Sequence, residues 1–274
     1  MNLFDIAIKN ASSIEKRFHG EQSRLTSSEA DCLGRFIDRV DQHGCVAINM
    51  RQMVLLNFLL YGQHQNIYEW ARSVAIYSSM STDDILREKL KTYYERRIAF
   101  DTFFHRGDEF HYGTLNLAGM GPTYYGNFCA AFKDAPFSTR LKTAYLRSDS
   151  LKTYVDASSN VDRVAIEEDA TPHTHKHYLA GIKHANSTYY TPETEWPSML
   201  CSNVDYIEAV FVGSSTPDDL EEVRMLKSDY ELFFHYAFEE FREKLSEADR
   251  ALVDGFVMIL KYLKSHGIHL EVIG

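Results

Sequence analysis

The stretch FFHRGDEFHYGTLNLAGMGPTYYGNFCAAF, residues 103–132, decides how this chain is read. It opens on an apolar run, turns at His105-Arg106-Gly107 and closes on a second apolar run at 127–132. Between them Gly107, Gly113, Gly119, Gly121 and Gly126 are set among aromatic and hydroxyl residues. Glycine adopts backbone conformations closed to other residues and lets a ligand approach the main chain. Glycines repeated between strand-like runs therefore suit a surface on which something flat and phosphate-bearing lies. The same spacing also fits tight turns in a small sheet.

Upstream of this stretch, residues 1–97 read as helices. Leu3, Ile6, Ile14 and Phe18 outline one amphipathic face, and Cys32, Leu33, Phe36, Ile37 and Val40 a second. Met53, Leu56, Phe58, Leu59 and Leu60 mark a third helix, and residues 67–78 a fourth, while Ser81 and Asp84 make a capping-box start for a fifth over 83–98. The pattern changes at Asp101. Strand-like runs at 102–105, 128–132, 161–166 and 206–212 alternate with turns that hold five of the six prolines, so a boundary is placed near 98. Helix returns over 230–245 and again after the Ser246/Asp249 cap, with Gly267 ending it and a terminal strand over 268–273. The aromatics Phe233, Phe234, Tyr236, Phe238 and Phe241 read as core packing. The expected fold class is α+β: a helical N-terminal region (1–97), then a strand-rich domain (98–274) that ends in helices.

A chain of 274 residues with 45% hydrophobic side chains can fill a core, and a net charge of −10 argues against a broad basic surface gripping a nucleic-acid backbone while leaving room for a local patch. The cysteines Cys32, Cys45, Cys129 and Cys201 have no metal-like spacing and read as buried thiols of a reducing compartment. With neither a leader-like N-terminus nor an apolar run of membrane length, a cytoplasmic location and no membrane partner are expected.

Within YIEAVFV, 206–212, Glu208 interrupts an apolar strand and shares a face with Tyr206, Val210 and Val212. Such a carboxylate either lies on the solvent side of an edge strand or works in a cleft, because an unpaired buried charge is costly. Two further clusters are open to more than one reading. His173, His175 and His177 would converge on a metal such as zinc if 173–177 were a strand, making a metal-dependent hydrolase, and are otherwise a polar turn. Lys133, Arg140, Lys142, Arg147 and Lys152, interleaved with Phe137, Tyr145 and Tyr154, are either a solvated hairpin or a nucleic-acid surface.

Taken together, FFHRG, the Gly/Tyr-rich HYGTLNLAG and TYYGNFC, and YIEAVFVGSSTPDDLEEV resemble the ADP-ribosyltransferase superfamily over residues 101–226. The resemblance implies a mixed split β-sheet that holds NAD as a substrate in an extended cleft. It implies His105 or Arg106, beside Gly107, against the cofactor's ribose or phosphate, with Tyr112, Tyr124 or Tyr125 stacking, and Glu208 driving transfer. It further implies a bacterial toxin or phage-defence effector that modifies a protein or nucleic-acid acceptor, with an antitoxin or immunity protein as a possible partner. The chain departs from the family pattern in lacking Ser-Thr-Ser on a middle strand and in carrying Tyr206 two residues before Glu208, which tells against arginine as the acceptor. A non-catalytic interaction module that docks through the N-terminal helices is the third alternative.

Overall fold

The structure is a computed structural model, and it describes residues 1–237 and 244–274. It is an α+β fold built on one open, mixed eight-stranded sheet. Helices α1 (Leu3–Gln22) and α2 (Ser27–His43) come first, followed by β1 (Cys45–Met50) and the helices α3 (Gln52–Tyr61), α4 (Ile67–Tyr77), α5 (Thr82–Leu90) and α6 (Tyr94–Phe103). Then come β2 (His111–Asn116), β3 (Phe128–Phe132), α7 (Asp134–Thr139), β4 (Lys142–Leu146), α8 (Ser150–Thr153), α9 (Arg163–Asp169) and the short β5 (Thr171–Pro172). The chain ends with α10 (Lys176–His184), α11 (Trp196–Leu200), β6 (Glu208–Val212), β7 (Leu220–Leu226), α12 (Lys227–Ala237), α13 (Glu247–Ser265) and β8 (His269–Ile273). Across the sheet the order is β5-β4-β6-β2-β1-β3-β7-β8, antiparallel except for the β7/β8 pair.

Local chemistry sets most of the helix starts. Thr26 and Glu29 cap α2 reciprocally, as Asn66 and Glu69 cap α4 and Ser81 and Asp84 cap α5, each satisfying amides that the first turn leaves free. Ser246 caps α13 through the amide of Asp249, and Gly267 follows that helix with φ +68°.

Three readings of local structure are corrected. Residues 45–50 are a strand lying between β2 and β3, so the N-terminal region is not helical throughout. Val46, Ile48 and Met50 bury one face of it, with Ala47 on the other. Residues 102–105 are the end of α6 and a turn, because Phe100 and Phe104 meet edge to face at helical spacing, with ring centroids 5.2 Å apart, on a buried face. Residues 163–166 open α9 rather than continuing a strand. The Asp162 side chain accepts the Ala165 amide, and Arg163 pairs with Glu167 one turn on, which outweighs the strand preference of the β-branched residues there.

The two faces of the sheet are covered differently. On one, β1, β3, β6 and β7 pack their apolar residues against α2, α3, α10 and α13 in the main core. On the other, Ala144, Leu146 and Val210 pack against the start of α1 and against α6, α8 and α9. Phe233 stacks on Phe256 of α13 as core aromatics do, whereas Phe234 and Tyr236 are partly exposed rather than core; Phe238 and Phe241 lie outside the described residues. Among the described residues no helix is long and apolar enough to cross a membrane.

Both sides of position 98 supply the main core, and a central strand comes from before it. Residues 98–274 expressed alone would lack β1 and leave β2 and β3 without their shared neighbour. The expected result in a urea titration is no cooperative unfolding transition for this piece, against a single sharp one for the whole chain.

Candidate active site

Glu208 opens β6 opposite Thr114 of β2 on one side and Leu146 of β4 on the other. The ladder begins just before it, where the Leu115 amide donates to the Ile207 carbonyl at 2.9 Å. Alternation then turns Ile207, Ala209 and Phe211 into the main core and Glu208 to the opposite face, where it is only 5% exposed. Its Oε2 accepts the Ser150 amide at 3.0 Å. That amide is the first of α8, whose next two amides are taken by the carboxylate of Asp149 at 2.9 and 3.2 Å.

Arg97 of α6 supplies the countercharge. Its guanidinium lies 3.8 Å over the ring of Tyr112, and Nη1 is 3.4 Å from Asp101 Oδ1, one helical turn along. Asp101 is buried and accepts the hydroxyl of Tyr68 at 2.6 Å and that of Tyr112. Burial pushes the carboxyl of Glu208 up to about 7; the Arg97 charge and the Ser150 bond oppose the shift, and the Asp149 charge adds to it. Burial also pushes Asp101 up, against Arg97 and the two tyrosine hydroxyls. For Arg97 burial disfavours the charge, but Tyr112, Asp101 and Glu208 outweigh it and the guanidinium stays protonated. Two carboxyls sharing one cation away from water thus leave Glu208 able to lose or keep its proton near neutrality.

A second group reaches the same place from the surface. The rings of Tyr124 and Tyr125 are 4.0 Å apart, and each residue is about half exposed. Tyr125 Oη is 3.1 Å from Tyr206 Oη, and the Tyr206 hydroxyl donates to Asp149 Oδ2 at 2.7 Å. The exposed tyrosine pair is therefore linked, through Tyr206 and Asp149, to the turn that holds Glu208.

Tyr112, Tyr124 and Tyr125 are thus brought toward Glu208. His105 and Arg106 are exposed in the turn after α6, with Arg106 in a left-handed conformation (φ +59°) and paired to Glu109 at 2.6 Å. Among the described contacts none joins either residue to Glu208. Gly107 is buried against the Asp101 main chain, where a Cβ would overlap the Asp101 carbonyl, so it supports the cluster by close packing.

Sequence reasoning missed Arg97, Asp101, Tyr68, Asp149 and Ser150. The signal for the first two is their four-residue spacing in YERRIAFDTFF, which a helix boundary at 98 divides.

The histidine segment is a short turn running into α10 and not a strand, so its rings do not share a face. His173 meets Tyr145 Oη at 3.0 Å and Asp134 at 2.9 Å, whereas His177 pairs with Asp41 at 3.1 Å. Among the described residues no three such groups are placed to hold a metal. Phe137, Tyr145 and Tyr154 are all buried, so the basic segment 133–152 offers no rings on which bases could stack.

The raised carboxyl of Glu208 has a consequence for stability. Because its folded-state value lies above the ordinary 4.5, folding is favoured by the proton below that value, and this contribution is lost as pH rises through about 7. Glu208→Gln, which cannot ionise, is expected to gain on the wild type by roughly 3 kcal/mol between pH 4 and pH 8, as read from urea midpoints; a pH-independent difference would show that the carboxyl titrates normally. Comparison with models of known families, with curated proteins and with solved structures finds no match to this chain, so its chemistry rests on these side chains.

Proposed function

We propose that the chain is an NAD-dependent ADP-ribosyltransferase, built on a mixed sheet, in which Glu208 drives the transfer. The observation that carries the reading is a single carboxylate set into an apolar strand, buried, held by a backbone amide and poised near neutrality beside Arg97. Breaking the nicotinamide–ribose bond leaves positive charge on the ribose, and nicotinamide departs with the bonding electron pair. A carboxylate in a site of low dielectric stabilises that charge and can accept a ribose hydroxyl, as glycosidase carboxylates do. The acceptor, a group on a protein or nucleic acid, then adds to the ribose and releases its proton.

In this reading Arg97 favours the ionised form of Glu208, and Tyr112 and Asp101 fix the guanidinium. Tyr124 and Tyr125 present ring faces to nicotinamide or to the acceptor. His105 and Arg106 are exposed and remain available to a phosphate. A role as a toxin or defence effector, opposed by an antitoxin or immunity protein, goes with a transferase of this kind.

Release of nicotinamide from NAD, followed with labelled NAD in a cell lysate, tests the assignment. Glu208→Gln is expected to lower the rate by about 10²-fold or more with little change in NAD affinity, and the wild-type rate should rise with pH through about 7 as the carboxyl ionises. Wild-type turnover in that variant would remove Glu208 from the chemistry. Arg106→Ala and His105→Ala should raise KM for NAD more than they lower kcat, and unchanged affinity in both would place the cofactor elsewhere.

A further inference from the structure

On the sheet face that carries Glu208, the loop joining β2 to β3 is folded down over a polar floor. Thr114, opposite Glu208, is followed two residues later on the same face by Asn116; Asn49 of β1 projects from that face as well. The floor holds the loop by its main chain. Asn49 Nδ2 donates to the carbonyls of Met120 and Gly126 at 2.9 and 3.2 Å, and Asn116 Oδ1 accepts the Gly119 amide at 2.8 Å. Arg224 Nη1 donates to Asn116 Oδ1 and to the Gly119 carbonyl, both at 3.0 Å. These bonds fix which end of each side-chain amide is oxygen.

Two atoms are left over: Asn49 Oδ1 and Asn116 Nδ2 are buried with no hydrogen-bond partner, and Asn116 is fully enclosed. A buried polar atom without a partner is costly and calls for an explanation. Both face one point, since a Cβ on Gly121 would lie 2.6 Å from the first and 3.2 Å from the second. Gly121 leaves that point free and has φ +66°, and Ala118 is also left-handed at φ +59°. A loop that carries a non-glycine residue in this region is held against its own preference.

We propose that Asn49 and Asn116 form a recognition site for a planar group presenting a hydrogen-bond donor beside an acceptor, the edge shared by the nicotinamide carboxamide and by adenine. The loop's peptide groups at Gly119 and Met120 hold the other two amide atoms of the floor and cover it, and the ligand reaches the unpartnered pair when the loop lifts. Asn49 Oδ1 then takes the ligand's N–H, and Asn116 Nδ2 gives its hydrogen to the ligand's acceptor. The choice of ligand rests on the NAD reading above; the existence of the site does not.

Asn116→Asp exchanges only the unpartnered Nδ2 for an oxygen and keeps Oδ1, with Arg224 beside it to balance the charge. Wild type and variant are titrated calorimetrically with nicotinamide and, separately, with ADP-ribose. The expected result is that wild type binds one of these and the variant binds that one at least about tenfold more weakly. Loss for nicotinamide identifies the carboxamide, and loss for ADP-ribose identifies adenine. Equal affinities in the two proteins, or no binding of either ligand by wild type, overturns the proposal. Should Asn116→Asp fail to fold, Asn49→Ala decides in the same way, because it removes the unpartnered Oδ1 that takes the ligand's N–H. Binding that depends on Asn116 without release of nicotinamide from NAD keeps the site and removes the transferase, whereas release that depends on Glu208 with unaltered binding in Asn116→Asp does the reverse.

Discussion

The fold depends on β1 finding two partners that follow it in the chain. Cys45–Met50 is hydrogen-bonded to β2 through Ala47 and Thr114 and to β3 through Ile48 and Ala130, so it joins the half of the sheet that holds Glu208 to the half that holds Arg224. Val46, Ile48 and Met50 each remove a large side chain from water on the main-core face, worth roughly 1.5–3 kcal/mol apiece. The other face of the strand is small, and it is there that the polar floor has room to lie.

Charge is concentrated where β2 and β6 meet α6, at Glu208, Arg97 and Asp101. Two buried carboxyls and one guanidinium would be prohibitive if left unsatisfied, since desolvation exceeds what a bare ion pair returns. Here the deficit is offset by the hydroxyls of Tyr68 and Tyr112 on Asp101, the Tyr112 ring under Arg97 and the Ser150 amide on Glu208. What remains uncompensated is expressed as the raised carboxyl of Glu208. The stabilising bonds and the chemical readiness of this residue are thus parts of one electrostatic arrangement.

Much of this could be read from residue order, and the failures have physical causes. Helical periodicity located α1, α2 and α4 because their apolar stripes recur over two or more turns; α3 was marked by apolar content, with Met53 and Leu60 in fact exposed, and the Ser81/Asp84 cap marked the start of α5. Glu208 stood out because a carboxylate breaks an apolar alternation. Six residues, in contrast, are too few to separate a strand from the helices either side of them, although Gly44 and the alternation of Val46, Ile48 and Met50 were visible. β7 was obscured by its own acidic residues, and β2 by its glycine. The influence of the Arg97 charge on Glu208 joins residues far apart in the chain, and no local pattern announces it. His173, whose spacing suggested a metal, spends its two ring nitrogens on Tyr145 and Asp134.

The central position of an early strand also bears on how the chain is made. As β1 leaves the ribosome neither of its neighbours exists, and residues 51–132 must be added before both do. At about 5–20 residues per second that is a wait on the order of 4 to 16 s, during which a short apolar segment has unpaired main-chain groups on both edges. The sheet cannot grow outward from its first strand as synthesis proceeds, and the helices that follow β1 have to form beside an incomplete core. The central strand therefore completes its hydrogen bonding only when β3 pairs with it, after a long interval in which its edges are open.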